Sequence, residues 1–200
     1  LGQTRLIKTL LMGANLVKAI VRNTDLGLAD LANITATAID LTGSRMELTN
    51  FTNAELNSSH MAKCDMRYAK FLRAHLTTSV LTEVDGTGTN FQNANLSFSD
   101  LSESAWFNTH FADANATQTD FSQSELSNAN FSDSEMVETN LKAADLMHAN
   151  LTRVFMLRPN FNRTDFTNAD LTDIDLSEED FEEAIWTGTL FDESRDKVAV

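Results

Sequence analysis

The sequence predicts a repeat solenoid, and three features of the chain carry that expectation. From Leu6 to Phe191 a centre recurs at every fifth residue through 38 positions without an insertion, and all but Ala36, Gly86 and Ala116 are large and apolar. Two residues before each centre runs a second series of small residues. It is Ala, Ser or Thr nearly everywhere, with Ile34, Ile39, Val84, Val154 and Ile174 as larger members. One Pro and seven Gly in 200 residues are too few for a chain built from conventional loops. A period of five fits neither the alternation of a strand nor the turn of a helix, so it describes a repeat architecture.

The unit reads small, Asn/Asp, Leu/Phe, Ser/Thr, then a variable polar residue. Examples are Ala94-Asn95-Leu96-Ser97-Phe98, Ala129-Asn130-Phe131-Ser132-Asp133 and Ala169-Asp170-Leu171-Thr172-Asp173. This pattern resembles the A(D/N)LxX signature of the pentapeptide-repeat family, and the resemblance covers essentially the whole chain. It implies an all-β fold, a right-handed quadrilateral parallel β-helix with one pentapeptide per side and four per coil. On that basis the chain makes about nine to ten coils, a rod roughly 45 Å long at about 4.8 Å per coil. A single domain over 1–195 with a C-terminal tail over 196–200 is expected.

The positions agree physically with such a rod. The centre and its small partner point inward, because four large side chains per coil already fill a narrow interior. Asn, Asp, Ser and Thr suit the corners, where they bond to nearby backbone. Each coil covers its neighbour, so only the two ends stay raw.

In chain order, the N-terminal end carries Ile7, Leu10, Met12, Val17 and Ile20 at outward positions, so something is expected to cover it: a further domain, a cap or a second subunit. The chain starts at Leu1, which suggests a fragment or a processed product. Ala36 and Gly86 are preceded by the larger Ile34 and Val84, which restore the lost volume. Ala116 follows Ala114 and has no such rescue, so a cavity or a repacking involving Trp106 is expected there. Phe51, Phe71, Phe91, Phe111 and Phe131 fall twenty residues apart and predict a ladder of stacked rings, with Phe191 returning to the same side. Cys64 takes a small inward position and reads as a buried, inert thiol. With one cysteine no internal disulfide forms; a cytoplasmic location fits this.

Catalytic chemistry is not in view. His60, His75, His110 and His148 lie at outward positions with no metal-ligand spacing. The acids of Asp173-Ile174-Asp175-Leu176-Ser177-Glu178-Glu179-Asp180 lack the glycines of a calcium loop. Gly86-Thr87-Gly88 has no strand-to-helix context for a phosphate loop. No enzyme activity, cofactor or metal is expected, and no apolar run approaches a membrane span.

The formal charge of −14 is uneven. Residues 164–193 hold eleven acids and no Lys or Arg. They form an acidic C-terminal cap that includes Asp173, Asp175, Glu178, Asp180, Glu182 and Glu183. Such a cap repels nucleic acid and keeps a rod soluble, or serves as an acidic docking surface. Arg153, Arg158 and Arg163 recur at one repeat position but fall on three sides of one coil, a partial belt with acids close by.

Outward apolar residues mark where a partner would sit. Val137, Phe155 and Leu157 cluster on one side, rimmed by Arg153 and Arg158, with Phe98 further back on that side and Phe107 on an adjacent one. The stretch from Arg153 to Pro159 departs furthest from the repeat, and Pro159 removes a backbone donor. It reads either as a bulge packed by its own side chains or as an interface anchor. The expected function is a noncatalytic structural or protein-interaction solenoid whose partner is a protein, with neither nucleic acid nor membrane bound. Two alternatives stand beside it. The family resemblance implies a DNA-mimicking partner of a type II topoisomerase of the quinolone-resistance kind, supported by an acidic strip of Glu83, Asp100, Glu103 and Asp120. The absent start methionine suggests an accessory domain of a larger secreted or secretion-linked protein.

Overall fold

A computed structural model describes residues 4–176 and 183–192. The tail over 196–200 and the acids Glu178, Asp180 and Glu182 lie outside the described residues.

Each pentapeptide begins with a residue that bridges to its counterpart one coil away and then turns. The bridges are all parallel and join residues twenty apart, from Arg5 with Asp25 to Asp170 with Leu190. Four pentapeptides therefore bring the chain back over itself. In one stretch the contact widens into two short strands, β1 (Glu135–Val137) and β2 (Phe155–Leu157). They pair in parallel with Glu135 opposite Phe155, Met136 opposite Met156 and Val137 opposite Leu157.

The turn follows directly from the centre. The Leu26 carbonyl accepts the Ala29 N–H at 2.9 Å, closing a β-turn whose third residue, Leu28, has φ of 60°. Every described residue at that place has positive φ, from Lys8 to Gly188, the sign that a type II turn requires. Only Gly13, Gly43, Gly88 and Gly188 relieve it; the rest carry side chains in a region that costs roughly 1–2 kcal/mol per L-residue. The offset is local, because the N–H of the strained residue donates to the next coil, as Leu28 does to the Glu47 carbonyl at 3.0 Å.

Asn and Asp bond to nearby backbone as the sequence implies, and they do a second job beside the corner. They occupy the bridge ahead of the turn as well as its corner, where Asn23, Asn33, Asn53, Asn93, Asp113 and Asp133 among others hold positive φ. Their side chains reach past the centre, as when Asp30 Oδ1 accepts the Ala32 N–H at 3.1 Å and Asn50 Oδ1 the Thr52 N–H at 3.1 Å. Ser and Thr at the inward small position have their own partner. The Thr49 hydroxyl donates to the Leu26 carbonyl of the preceding coil at 2.9 Å, and Thr89 and Ser79 repeat this with Met66 and Leu56. The centre carbonyl thus accepts both a turn N–H and a hydroxyl, which satisfies a buried polar group without widening the core.

The interior holds the expected ring ladder. Phe51, Phe71, Phe91, Phe111 and Phe131 stack with centroids 4.8, 5.0, 5.3 and 4.6 Å apart and planes within 21°. Phe191, by contrast, tilts against Trp186 at 49°, and Trp186 stacks on Phe166 at 4.5 Å.

The gaps are filled differently from expectation. At Gly86 the rescuer is Trp106 as well as its neighbour Val84: a Cβ on Gly86 would stand 2.1 Å from the indole. Trp106 is fully buried, and its N–H donates to the Leu101 carbonyl at 3.1 Å. With Trp106 committed there, Phe121 crosses the interior beside Ala116 and meets Phe111 and Phe131 edge-on at 5.5 and 5.6 Å.

Candidate interaction surfaces

The irregular coil is built by replacing a turn donor and two polar outward residues. Pro159 supplies no N–H to the Met156 carbonyl, so this turn lacks the closing bond made elsewhere, and Pro159 is half-buried rather than fully inward. Arg158 still holds φ of 52°. The strand runs on through Leu157, and its outward side chains stand in the open: Phe155 is 60% and Leu157 48% exposed. Val137 lies opposite Leu157 in the pairing register, and Phe155, opposite Glu135, is two residues before Leu157 on the same strand.

The rim is charge-paired. Arg153 makes a two-pronged contact with Asp133 of the preceding coil, Nε to Oδ1 at 2.8 Å and Nη2 to Oδ2 at 2.7 Å. This contact raises the guanidinium pKa and holds the Asp133 carboxyl below its usual range. Arg158 pairs with Glu138, which also accepts from Gln118 Nε2 at 2.8 Å. Both arginines thus face acids of their own chain, while Arg163 opens onto a groove of 480 Å³ with Lys142, Gln123 and Asn140. Ala143 makes that groove by leaving a gap between Gln123 and Arg163 in a column of longer side chains.

Two buried hydroxyls beside the patch, Thr117 Oγ1 and Ser134 Oγ, have no hydrogen-bond partner. Ser134 occupies an inward small position yet does not donate to a carbonyl of the preceding coil as Ser124 does to Leu101. Buried groups of this kind cost about 1–3 kcal/mol each. The Ser134 hydroxyl and the missing turn bond at Pro159 mark two departures from the repeat's hydrogen bonding between residues 134 and 159.

Of the acidic cap, Asp173, Asp175 and Glu183 are described and all are exposed. The Asp173 N–H donates to Asp192 Oδ1 at 3.1 Å, and Glu183 accepts from Asn162. In the strip of Glu83, Asp100, Glu103 and Asp120, Lys63 pairs with Glu83 at 3.4 Å and offsets its charge, while the neutral Asn140 amide donates to Asp120 at 3.0 Å.

One surface escaped the sequence reading. Leu28, Leu48 and Tyr68 lie twenty residues apart at the positive-φ turn position and are 48%, 47% and 53% exposed. The Tyr68 ring lies over Gly88, whose Cβ would meet it at 2.6 Å. Beside them runs a lattice of Arg45, Glu47, Asp65 and Arg67, with Arg67 bidentate on Asp65 at 2.8 Å. Reading every twentieth residue at the turn position is the signal that reveals the stripe.

The thiol of Cys64 donates to the Leu41 carbonyl at 3.1 Å, and burial pushes its pKa up to about 12. It is held protonated and unreactive at neutral pH. Among the described residues no group of three His, Cys, Asp or Glu is placed to hold a metal ion, and no helix is long and apolar enough to cross a membrane.

Two sequence profiles match the chain. One, described as a pentapeptide repeat region, covers 54–131; the other, pentapeptide repeats in eight copies, covers 29–67 and 144–178. The chain belongs to the pentapeptide-repeat family. No curated protein matches it. Among solved structures it is similar to HetL, a pentapeptide repeat protein involved in heterocyst differentiation regulation from the cyanobacterium Nostoc sp. PCC 7120, with 24% identity, a TM-score of 0.80, and 90% of this chain and 85% of that one covered. QnrB1, a plasmid-mediated fluoroquinolone resistance protein, matches at 14% identity and a TM-score of 0.46 over 97% and 94% of the two chains. Rfr23 from the cyanobacterium Cyanothece 51142 matches at 29% identity and a TM-score of 0.26 over 57% and 60%. The likeness to HetL shows the fold: a pentapeptide-repeat β-helix.

Proposed function

We propose that this pentapeptide-repeat protein is a noncatalytic cytoplasmic scaffold, a right-handed four-sided rod of about nine to ten coils that presents a protein-binding patch at Val137, Phe155 and Leu157. The observation that carries the reading is the exposure of Phe155 and Leu157 on a widened strand pair, where neighbouring coils carry Asn, Glu, Ser and Thr. Large apolar side chains ringed by paired Arg153–Asp133 and Arg158–Glu138 have the make-up of an interface centre with a polar rim. Nothing in the repeat requires them, since Thr35, Glu55, His75 and Asn95 stand in the Phe155 column and Thr37, Asn57, Thr77 and Ser97 in the Leu157 column. Replacing Phe155 and Leu157 with Ser is expected to abolish capture of the partner while leaving the β-rich circular dichroism spectrum unchanged. Capture that persists rejects this patch.

The topoisomerase reading rests on the acidic strip through Glu83, Asp100, Glu103 and Asp120. Its test is a gyrase supercoiling assay with the protein added in excess, in which inhibition or protection from a quinolone would support it. The strip's flanking Lys63, Lys142 and Arg163 interrupt the continuous negative charge that mimicry of a duplex needs.

A further inference from the structure

The acidic strip and the groove at Ala143 lie on one side of the rod and are built from the same two columns. The first column runs through the bridge residues Asp100, Asp120, Asn140 and Asn160, each bridged to the next. The second runs through Glu103, Gln123, Ala143 and Arg163, three places later in each pentapeptide, all at the positive-φ turn position. Every one of these residues falls in the continuous described stretch 4–176.

The charged groups along this seam are left with bonding capacity to spare. The Ser102 N–H and hydroxyl donate to Asp100 Oδ1 at 3.1 and 2.6 Å. The Ser122 N–H and Asn140 Nδ2 donate to Asp120 Oδ1 at 2.8 and 3.0 Å. In both carboxylates Oδ2 has no partner among the described residues. Lys142 and Arg163 are exposed beside the 480 Å³ groove, and neither pairs with a carboxylate among the described residues, unlike Arg153 and Arg158 nearby. Glu183, the next turn residue after Arg163, accepts from Asn162 instead.

Charge reverses along the seam: acids at Asp100, Glu103 and Asp120, the neutral amides of Gln123 and Asn140, then Lys142 and Arg163. A two-fold axis passing between Gln123 and Asn140, perpendicular to the rod, lays the first column on the second in reverse order. Asp100 then faces Arg163 of a second copy, and Asp120 faces that copy's gap at Ala143 with Lys142 beside it. Asn140 faces Gln123, Asn160 faces Glu103, and the symmetry makes each contact twice. Parallel rods would set Asp100 against Glu103 and leave Arg163 against a neutral Asn160.

We infer that this seam is the interface of an antiparallel homodimer, in which the groove at Ala143 receives the Asp120 carboxylate of the second copy between Lys142 and Arg163. Complementary charge fixes the register and the direction of the two rods. Two columns over four coils make a narrow contact, so the dimer is weak and exchanges reversibly. It occupies a different side of the rod from the Phe155 patch, and either reading can fail without the other.

The test exploits the separation of Asp100 and Arg163 within one rod, three coils or about 15 Å, which leaves them out of each other's reach. Sedimentation equilibrium of the unaltered chain, at up to about 1 mM, is expected to show a monomer–dimer equilibrium that stops at two. Asp100→Arg alone and Arg163→Asp alone each set like charges together twice and should weaken the dimer about tenfold or more. An equimolar mixture of the two variants should dimerise again, because every facing pair is then of opposite sign. Both substitutions in one chain should restore the homodimer for the same reason, with the circular dichroism spectrum unchanged throughout. A monomeric unaltered chain overturns the proposal, as does growth beyond the dimer. Single variants that dimerise like the unaltered chain also overturn it, and so does failure of either the mixture or the double variant to recover.

Discussion

Gly86 is a residue whose neighbour explains it better than its own repeat does. The indole of Trp106 occupies the space where a Cβ would be, at 2.1 Å. Gly86→Ala is therefore expected to destabilise the protein by about 1–3 kcal/mol through overpacking, read as a lower denaturant midpoint at unchanged slope. Asp40 offers a second test at this scale. Arg22 Nε donates to it at 2.6 Å, and its carboxyl pKa lies near 2 instead of 3.8. A carboxyl lowered on folding contributes stability that is complete above its unfolded pKa and lost as pH falls through the folded one. Asp40→Asn should accordingly flatten the decline of stability between about pH 4 and 2, measured by denaturant titration across that range. The sequence showed that Gly86 needed a rescuer, and it pointed to Val84. It did not show Trp106, because period five relates neighbours along the chain while the filling comes from the coil above.

The element that dominates the interior is the ring ladder, legible in the sequence to the residue because identical side chains recur at twenty. Phe91 sits at its middle, stacked on Phe71 and Phe111 and met edge-on by Trp106 at 5.6 Å. Phe91→Ala should cost about 3–5 kcal/mol, seen in thermal and denaturant unfolding, since stacked neighbours cannot collapse into the gap. The turn is the element least legible beforehand. Asn and Asp hold the positive-φ corner at several coils, Asn23, Asn33, Asn53 and Asp113 among them, yet Lys, Leu, Arg, Tyr and Phe also fill it. Inter-coil hydrogen bonding overrides the local preference of the side chain at the remaining corners, which is why propensity accounts for only part of them. The irregular coil was visible as a break in consensus. The pairing of Arg153 with Asp133 and of Arg158 with Glu138 was not, because it depends on rotamers between coils.

For the whole molecule, a solenoid divides its stability among neighbouring contacts, so the ends should open before the middle. Amides of Leu6, Leu11 and Leu16 bond to one following coil, whereas those of Phe91 and Phe111 lie in coils covered on both sides. Hydrogen exchange should be faster at the former by orders of magnitude, and equal protection throughout would contradict a stacked rod of this kind. The overall register and the apolar first coil follow from the sequence alone. The stripe of Leu28, Leu48 and Tyr68 did not emerge from it, because the turn position takes side chains of every kind and the three break no repeat rule.

One consequence of the turns reaches beyond stability. At every corner the backbone takes a conformation native to an amino acid of the opposite chirality, while the side chain there points to solvent. A chain synthesised with D-residues at positions such as Lys63, Arg73 and Gln123 would keep its path and relieve the strain of each corner. Exposed peptide bonds flanked by D-residues are poor substrates for proteases that recognise L-residues. The rod's geometry thus already contains half the design of its own protease-resistant version.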